Sequence, residues 1–215
     1  TNNGKYFLKK YRFDNKERIE EIHAVKKYFA DNGIPVILPI QHKEGTFFYE
    51  NGWYALFPFL KAEQYEGDQL SDTSIVSFAE ILAKIHLLGK DATIKVNDSF
   101  SIGDKTKILE KIDILVLKIK EIASPTDFDR RAIYSLELKK KLILENTVDF
   151  KDLNLNNDHL IHGDYLAHNV FFNDGVVSHV FDFEKTSYAP RMFELFRSAY
   201  SSFSNQNNID LYIQA

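Results

Sequence analysis

Between His159 and Glu184 the sequence runs HLIHGDYLAHNVFFNDGVVSHVFDFE, with the triplet Asn173-Asp174-Gly175 set between two short apolar runs. Such a triplet is a strong short-range signal for a β-hairpin, because its tight turn needs residues that accept positive φ. A hairpin this short returns the chain to where it started. The polar residues before its first strand, His159, His162, Asp164, His168 and Asn169, are therefore expected close to those after its second, Asp182 and Glu184. Any fold for this chain has to find a use for that crowding.

Two chemistries could use it. A zinc site would be built on the histidines, but helical zinc motifs place two His at i and i+4 with a Glu between them as base. Here His159 and His162 are three apart, in an extended segment that Gly163 interrupts at once. A metal-dependent hydrolase is the weaker reading. Phosphoryl transfer needs instead a carboxylate to accept the proton of an attacking hydroxyl, and oxygen ligands that hold Mg2+ on the phosphates. Asp164, then Asn169 five residues later, then Asp182 from the far strand of the hairpin supply those parts. In this reading Asp164 is the base, and Asn169 and Asp182 are the magnesium ligands.

Composition narrows the alternatives. At 215 residues with 44% hydrophobic and 14% aromatic side chains, the chain can build one large domain or two small lobes. A net charge of −4 gives no general attraction to nucleic acid or to an anionic membrane, so an anionic ligand must be held locally. The absence of cysteine excludes disulfide scaffolds and thiolate metal sites and permits a reducing compartment. No apolar run approaches the ~20 residues of a membrane helix. The expectation is a cytoplasmic protein. The opening Asn3-Gly4 reads as a turn whose preceding strand lies upstream of Thr1, and the last element is expected to continue beyond Ala215.

Along the chain, KYFLKKYRF alternates as a strand. From about Asn15, Ile19, Ile22, Val25 and Phe29 recur on one helical face that ends at Gly33. GTFFYENGWYALFPFL then gives two strands about Asn51-Gly52. After Leu60 the pattern becomes helical: one helix capped at Ser71 or Asp72 and stopped at Gly89, a second over about 104–123, a third from Thr126 to about Thr147. Lys139-Lys140-Lys141 in the third helix reads as a solvated face. A last helix begins at Pro190 with Met192, Leu195, Phe196 and Ala199 on one side.

Taken together, HGDYLAHN, FDFE, the helix ending LAKIHLLG and the preceding ALFPFL segment resemble the aminoglycoside phosphotransferase and choline kinase-like family. The resemblance runs from Lys5 to about Phe203, and the texture of DNGIPVILPI through AKIHLLGKD is similar to the homoserine kinase branch. It implies an α+β, two-lobed protein kinase-like fold, with a small mixed lobe over 1–60, incomplete at its start, and a larger, mainly helical lobe over 61–215. It implies an ATP-dependent, Mg2+-requiring small-molecule kinase whose partner is a hydroxyl acceptor. A non-catalytic, kinase-like nucleotide-binding module is the alternative from another class.

The resemblance also implies roles for individual residues. Lys9 would grip the α and β phosphates, held by Glu21, the helix acid that flanks the apolar arc of Val25 and Tyr28. Adenine would lie against Phe57, Phe59 and Leu60, with a backbone donor such as Leu60 because Pro58 has no N–H. His162 and Gly163 would shape the catalytic loop, His86 would be a packing or hydrogen-bonding residue, and Glu184 would lie near the metal or pair with Lys185 or Arg191. The hairpin that would cover the phosphates precedes Thr1 in this reading. The absence of further acidic clusters disfavours a polycationic aminoglycoside, which needs several carboxylates to replace its hydration.

Overall fold

The computed structural model describes residues 4–40, 47–49, 52–97, 100, 104–148 and 155–215, with the backbone path alone for 47–49. Asn3 and Asn51, both expected in turns, lie outside the described residues. The chain forms two compact units. One comprises residues 1–100 and 156–215, the other residues 101–155. These units cut the chain differently from the expected division at residue 60.

The larger unit begins with a three-stranded antiparallel sheet in the order β1, β3, β2, where β1 is Tyr6–Lys10, β2 Phe47–Tyr49 and β3 Gly52–Pro58. Lys9 pairs with Ala55 and Phe7 with Phe57. Helix α1, Lys16–Asp31, starts where the Asn15 side chain accepts from the Arg18 N–H, which satisfies one of the free donors of the first turn. The expected face of Ile19, Ile22, Val25 and Phe29 is buried. Ile19 packs with Tyr11, Ile37, Ala55 and Phe57, fixing the helix to the sheet.

Helix α2, Asp72–Lys90, is capped by Ser71 and buries Ile75, Phe78, Leu82 and Ile85. It lies against β4, His159–Ile161, so closely that a Cβ on Gly89 would stand 2.0 Å from the Leu160 carbonyl oxygen. The hairpin of β5, Val170–Asn173, and β6, Val176–Val180, turns at Asp174 and Gly175, with φ of 49° and 80° as the sequence requires. A further strand, β7 at Ser187–Ala189, pairs antiparallel with β4. Helices α5, Arg191–Ser202, and α6, Gln206–Gln214, close the chain. Phe78, Tyr165, Phe203 and Tyr212 form the aromatic centre of the main core, Phe78 and Tyr165 stacked with centroids 4.5 Å apart. Truncating Phe78 to Ala at such a site costs about 3–5 kcal/mol.

One sequence expectation fails in α5. Met192 and Phe196 are exposed, while Glu194 and Ser198 are buried beside Ala199. The reason is polar: buried N–H and imidazole groups of neighbouring elements need an acceptor, which Glu194 supplies, and Ser198 and the Tyr212 hydroxyl satisfy one another.

The smaller unit is a helical hairpin of α3, Lys105–Lys120, and α4, Asp127–Glu145. Thr126 and Asp129 form a reciprocal capping box at the start of α4. Lys140 pairs with Asp113 at 2.5 Å, and Lys139 and Lys141 are exposed, so the lysine run is a solvated face.

Candidate active site

The loop after β4 is bent at Gly163, where φ is +84° and an added Cβ would stand 2.0 Å from the Lys185 carbonyl oxygen. Only glycine fits there at no steric cost. The bend lets the loop fold onto the hairpin's far end. His162, fully buried, accepts the Asp164 N–H on Nδ1 (3.2 Å) and donates from Nε2 to the Phe181 carbonyl (2.8 Å). That pattern fixes the neutral tautomer. Burial lowers its pKa, outweighing the opposing pull of Glu194 and of the Phe181 hydrogen bond.

Asn169 ends a 3-10 turn over Ala167–Asn169. Its Nδ2 donates to the Asp164 carbonyl (2.9 Å), and its own carbonyl accepts the Phe181 N–H (3.1 Å). The Asp164 loop and the Asp182 loop are thereby bound to one another through Asn169 and His162. With its amide nitrogen engaged, the Asn169 side chain has Oδ1 left to meet a cation.

Asp182 follows in the left-handed region, φ 63° and ψ 58°, which turns its carboxylate out of the strand. Lys9 Nζ lies 2.7 Å from Asp182 and 2.8 Å from Glu184. Burial works to raise the Asp182 pKa, but the hydrogen bond and charge of Lys9 outweigh it, and the net direction is down. Asp164 is held by Lys185 Nζ at 2.9 Å from Oδ2 and by Arg197 Nη2 at 2.5 Å from Oδ1. The Arg197 contact is an ion pair without hydrogen-bond geometry, and Oδ1 is buried with no hydrogen-bond donor of its own.

Beside Lys9 opens a cavity of about 470 Å³. Phe57, Phe59, Leu60, Ile37, Phe171 and Phe181 line its apolar side, and Lys9, Asp182 and Glu184 its polar side. The residues expected around adenine and those expected around the phosphates thus share one cavity.

Glu21 is not among them. Its carboxylate meets Arg18 at 3.3 Å and the Asn97 N–H at 3.2 Å, and Lys9 is held from the hairpin side instead. The expected Lys9 to Glu21 pair is therefore corrected. The face of α1 turned toward the sheet carries His23 and Lys26, and His23 Nε2 lies 2.6 Å from the Tyr11 hydroxyl. The helix grips the loop after Asp182 by another route: Arg18 Nη2 donates to the carbonyls of Glu184 (3.1 Å) and Thr186 (2.6 Å).

Glu194, 1% exposed, is the main residue that sequence reading missed. It accepts the His162 and Gly163 N–H groups and pairs with His86 Nε2 at 3.0 Å, so His86 is a hydrogen-bonding residue as expected. A glutamate one turn into an amphipathic helix carries no signal of burial. Among the described residues no group of three or more His, Cys, Asp or Glu could hold a metal ion, so a histidine-based site is not formed. The donor set Asn169 and Asp182, with Glu184 adjacent, is of oxygen, the type that suits Mg2+.

The sequence profile of the phosphotransferase enzyme family, APH, matches residues 1–214. No curated protein matches the chain. Among solved structures, the AMP-bound complex of spectinomycin phosphotransferase APH(9)-Ia is 18% identical with a TM-score of 0.69, covering 99% of this chain and 70% of that one. Amicoumacin kinase hAmiN, solved with AMP-PNP, Ca2+ and Ami, is 15% identical with a TM-score of 0.61, covering 97% and 63%. Choline kinase LicA from Streptococcus pneumoniae is 17% identical with a TM-score of 0.56, covering 100% and 68%. The chain thus spans roughly two thirds of the length of these proteins, whose kinase-like fold it shares, and with the profile matching it almost from end to end it belongs to the phosphotransferase enzyme family.

Proposed function

We propose that the chain transfers the γ-phosphate of ATP to a hydroxyl of a small molecule, with Asp164 as base. The observation that carries the reading is the tie between the two loops at Asn169, which donates to the Asp164 carbonyl and accepts from Phe181, next to Asp182. A base and a metal-ligating carboxylate must keep a fixed separation while the nucleotide comes and goes, and backbone hydrogen bonds in a buried setting provide that.

In this reading the apolar wall of Phe57, Phe59 and Leu60 covers the adenine, and Lys9 turns from Asp182 and Glu184 to the phosphates when the nucleotide enters. Mg2+, bound through Asn169 Oδ1 and the Asp182 carboxylate, would neutralise charge on the phosphate oxygens. The acceptor hydroxyl oxygen attacks the γ-phosphorus, the bond to the β-bridging oxygen breaks, and ADP leaves with that electron pair. The hydroxyl proton passes to Asp164. Lys185 and Arg197 hold the Asp164 carboxylate in place.

The solved relatives include proteins named for spectinomycin, amicoumacin and choline, so the acceptor belongs to the class of small hydroxyl compounds. Among the described residues no helix is long and apolar enough to cross a membrane, and a cytoplasmic location is part of the proposal. The test is ADP release from Mg·ATP across homoserine, choline, simple sugars and aminoglycosides, with Asp164→Asn in parallel. One acceptor whose signal vanishes in the variant supports the reading. A signal that persists in Asp164→Asn removes Asp164 as base, and failure to bind Mg·ATP at all removes the site.

A further inference from the structure

The cavity beside Lys9 contains a cation that the transfer chemistry leaves unused. Lys26 and Lys27 follow one another in α1, and only Lys27 behaves as a surface lysine, exposed and paired with Asp31 at 2.8 Å. Lys26 is 5% exposed. Among the described residues its ammonium makes no hydrogen bond and no ion pair, and its Nζ lies 4.3 Å from the centre of the Phe57 ring. It lines the same cavity as Lys9, Asp182 and Glu184.

Burying an ammonium without a counter-ion is expensive, and proteins keep such groups where they have a use. Desolvation, followed by repulsion from Lys9, brings the Lys26 pKa down to about 7 from its usual 10.5, against the weaker pull of Asp182 and Glu184. Both of those carboxylates are already within 2.8 Å of Lys9. The Phe57 ring face gives only partial compensation. Around the cavity stand Lys9, Lys10, Arg12 and Lys26 against only Asp182 and Glu184, so its lining carries an excess of positive side chains. An anion completes that balance.

We infer that Lys26 is a second phosphate-binding lysine, which with Lys9 holds the phosphate chain of the bound nucleotide from the α1 side of the cavity. The inference rests on the nucleotide reading of this cavity and goes beyond it by assigning to α1 a cationic contact with the ligand. It also accounts for the absence of a carboxylate from this face of α1. Lys26 adds a second positive charge to the grip of Lys9.

The decisive variant is Lys26→Met in the full chain, which keeps an unbranched stem against Phe57 and removes the charge. Affinity for Mg·ATP and Mg·ADP should fall about 10-fold to 100-fold, the worth of a charge-assisted hydrogen bond, while affinity for adenosine is unchanged. The Tm without nucleotide should rise, because an apolar side chain replaces a buried, unpaired charge. In the unaltered protein, Mg·ADP should slow acetylation of Lys26 by an activated acetyl ester, read by peptide mass spectrometry, and adenosine should not. Unchanged Mg·ATP affinity in Lys26→Met would overturn the inference, as would equal losses for adenosine and ADP, which would place the lysine on the base. A lowered Tm with intact affinity would make Lys26 a packing residue. If the unaltered protein binds no nucleotide, the cavity reading fails and the inference fails with it; tight binding by both proteins removes the inference alone.

Discussion

The segment from His159 to Ala189 and the hairpin of α3 and α4 are held together by opposite means. In the first, buried polar groups of the loops are tied to one another: His162 between Asp164 and Phe181, Asn169 on the Asp164 carbonyl, and Thr186 Oγ1 on the Ile161 carbonyl at 2.6 Å. In the second, α3 buries only Ile112 and Val116, and α4 buries nothing. Phe128 is 74% exposed and Leu142 57%. Its ion pairs, such as Lys140 with Asp113 and Lys120 with Glu137, sit at the surface. Buried hydrogen bonds fix one geometry because leaving them unmade is costly, whereas surface pairs contribute little and tolerate change. Precision is concentrated where the proposed chemistry needs it.

Substitutions should separate the two regions by size of effect. The largest is expected at the base. Asp164→Asn should lower kcat by about 10²- to 10⁴-fold and leave Mg·ATP binding largely intact, whereas Asp182→Ala should abolish Mg2+-dependent nucleotide binding, as titration calorimetry would read. Equal loss of binding in both variants would contradict this division of roles.

Next comes the buried scaffold. Glu194→Ala leaves the His162 and Gly163 N–H groups and the His86 imidazole without their acceptor. The expected cost is about 3 kcal/mol, and thermal melting should show a fall of roughly 6–12 °C for a chain of this size. A fall of a degree or less would place the loop's rigidity elsewhere.

A pH effect should follow from His23, whose pKa burial lowers from 6.5 to about 4, with Lys26 and Lys9 adding to the shift. Between those values the unfolded chain binds a proton that the folded chain does not, so stability is full above pH 6.5 and declines as pH falls toward 4. His162, also lowered, acts in the same direction. Denaturant melts across this range should show His23→Gln reducing the slope, by up to about 3 kcal/mol over the full window. An unaltered slope would return the effect to the other groups. The smallest change is expected in the hairpin, where Lys140→Ala should shift stability by less than about 0.5 kcal/mol.

Much of the architecture was legible because local rules suffice for it. Asp174-Gly175 fixed the hairpin turn, Asn15, Ser71 and Thr126 marked three helix starts, and the Ile19, Ile22, Val25 and Phe29 stripe gave the buried face of α1. The grouping of Asp164, Asn169 and Asp182 followed from the shortness of that hairpin. The failures share a cause. Glu21 was chosen by its place beside an apolar arc, yet Arg18, one turn earlier, claims it. In α5 the apolar stripe of Met192 and Phe196 looked inward, and the buried hydrogen bonds of Glu194 and Ser198 rotated the helix otherwise.

The sequence by itself determined the order of elements, the turn at Asp174-Gly175 and the chemistry that the polar cluster could perform, because caps, turns and periodicity act between residues close in the chain. Only the tertiary structure decided which charges meet. Lys9 chose Asp182 and Glu184 over Glu21, Asp164 acquired Lys185 and Arg197, and Lys26 was buried facing a cavity. Those choices depend on distances between residues up to 173 positions apart in the chain, and on the local shielding from water that makes each charge costly or useful.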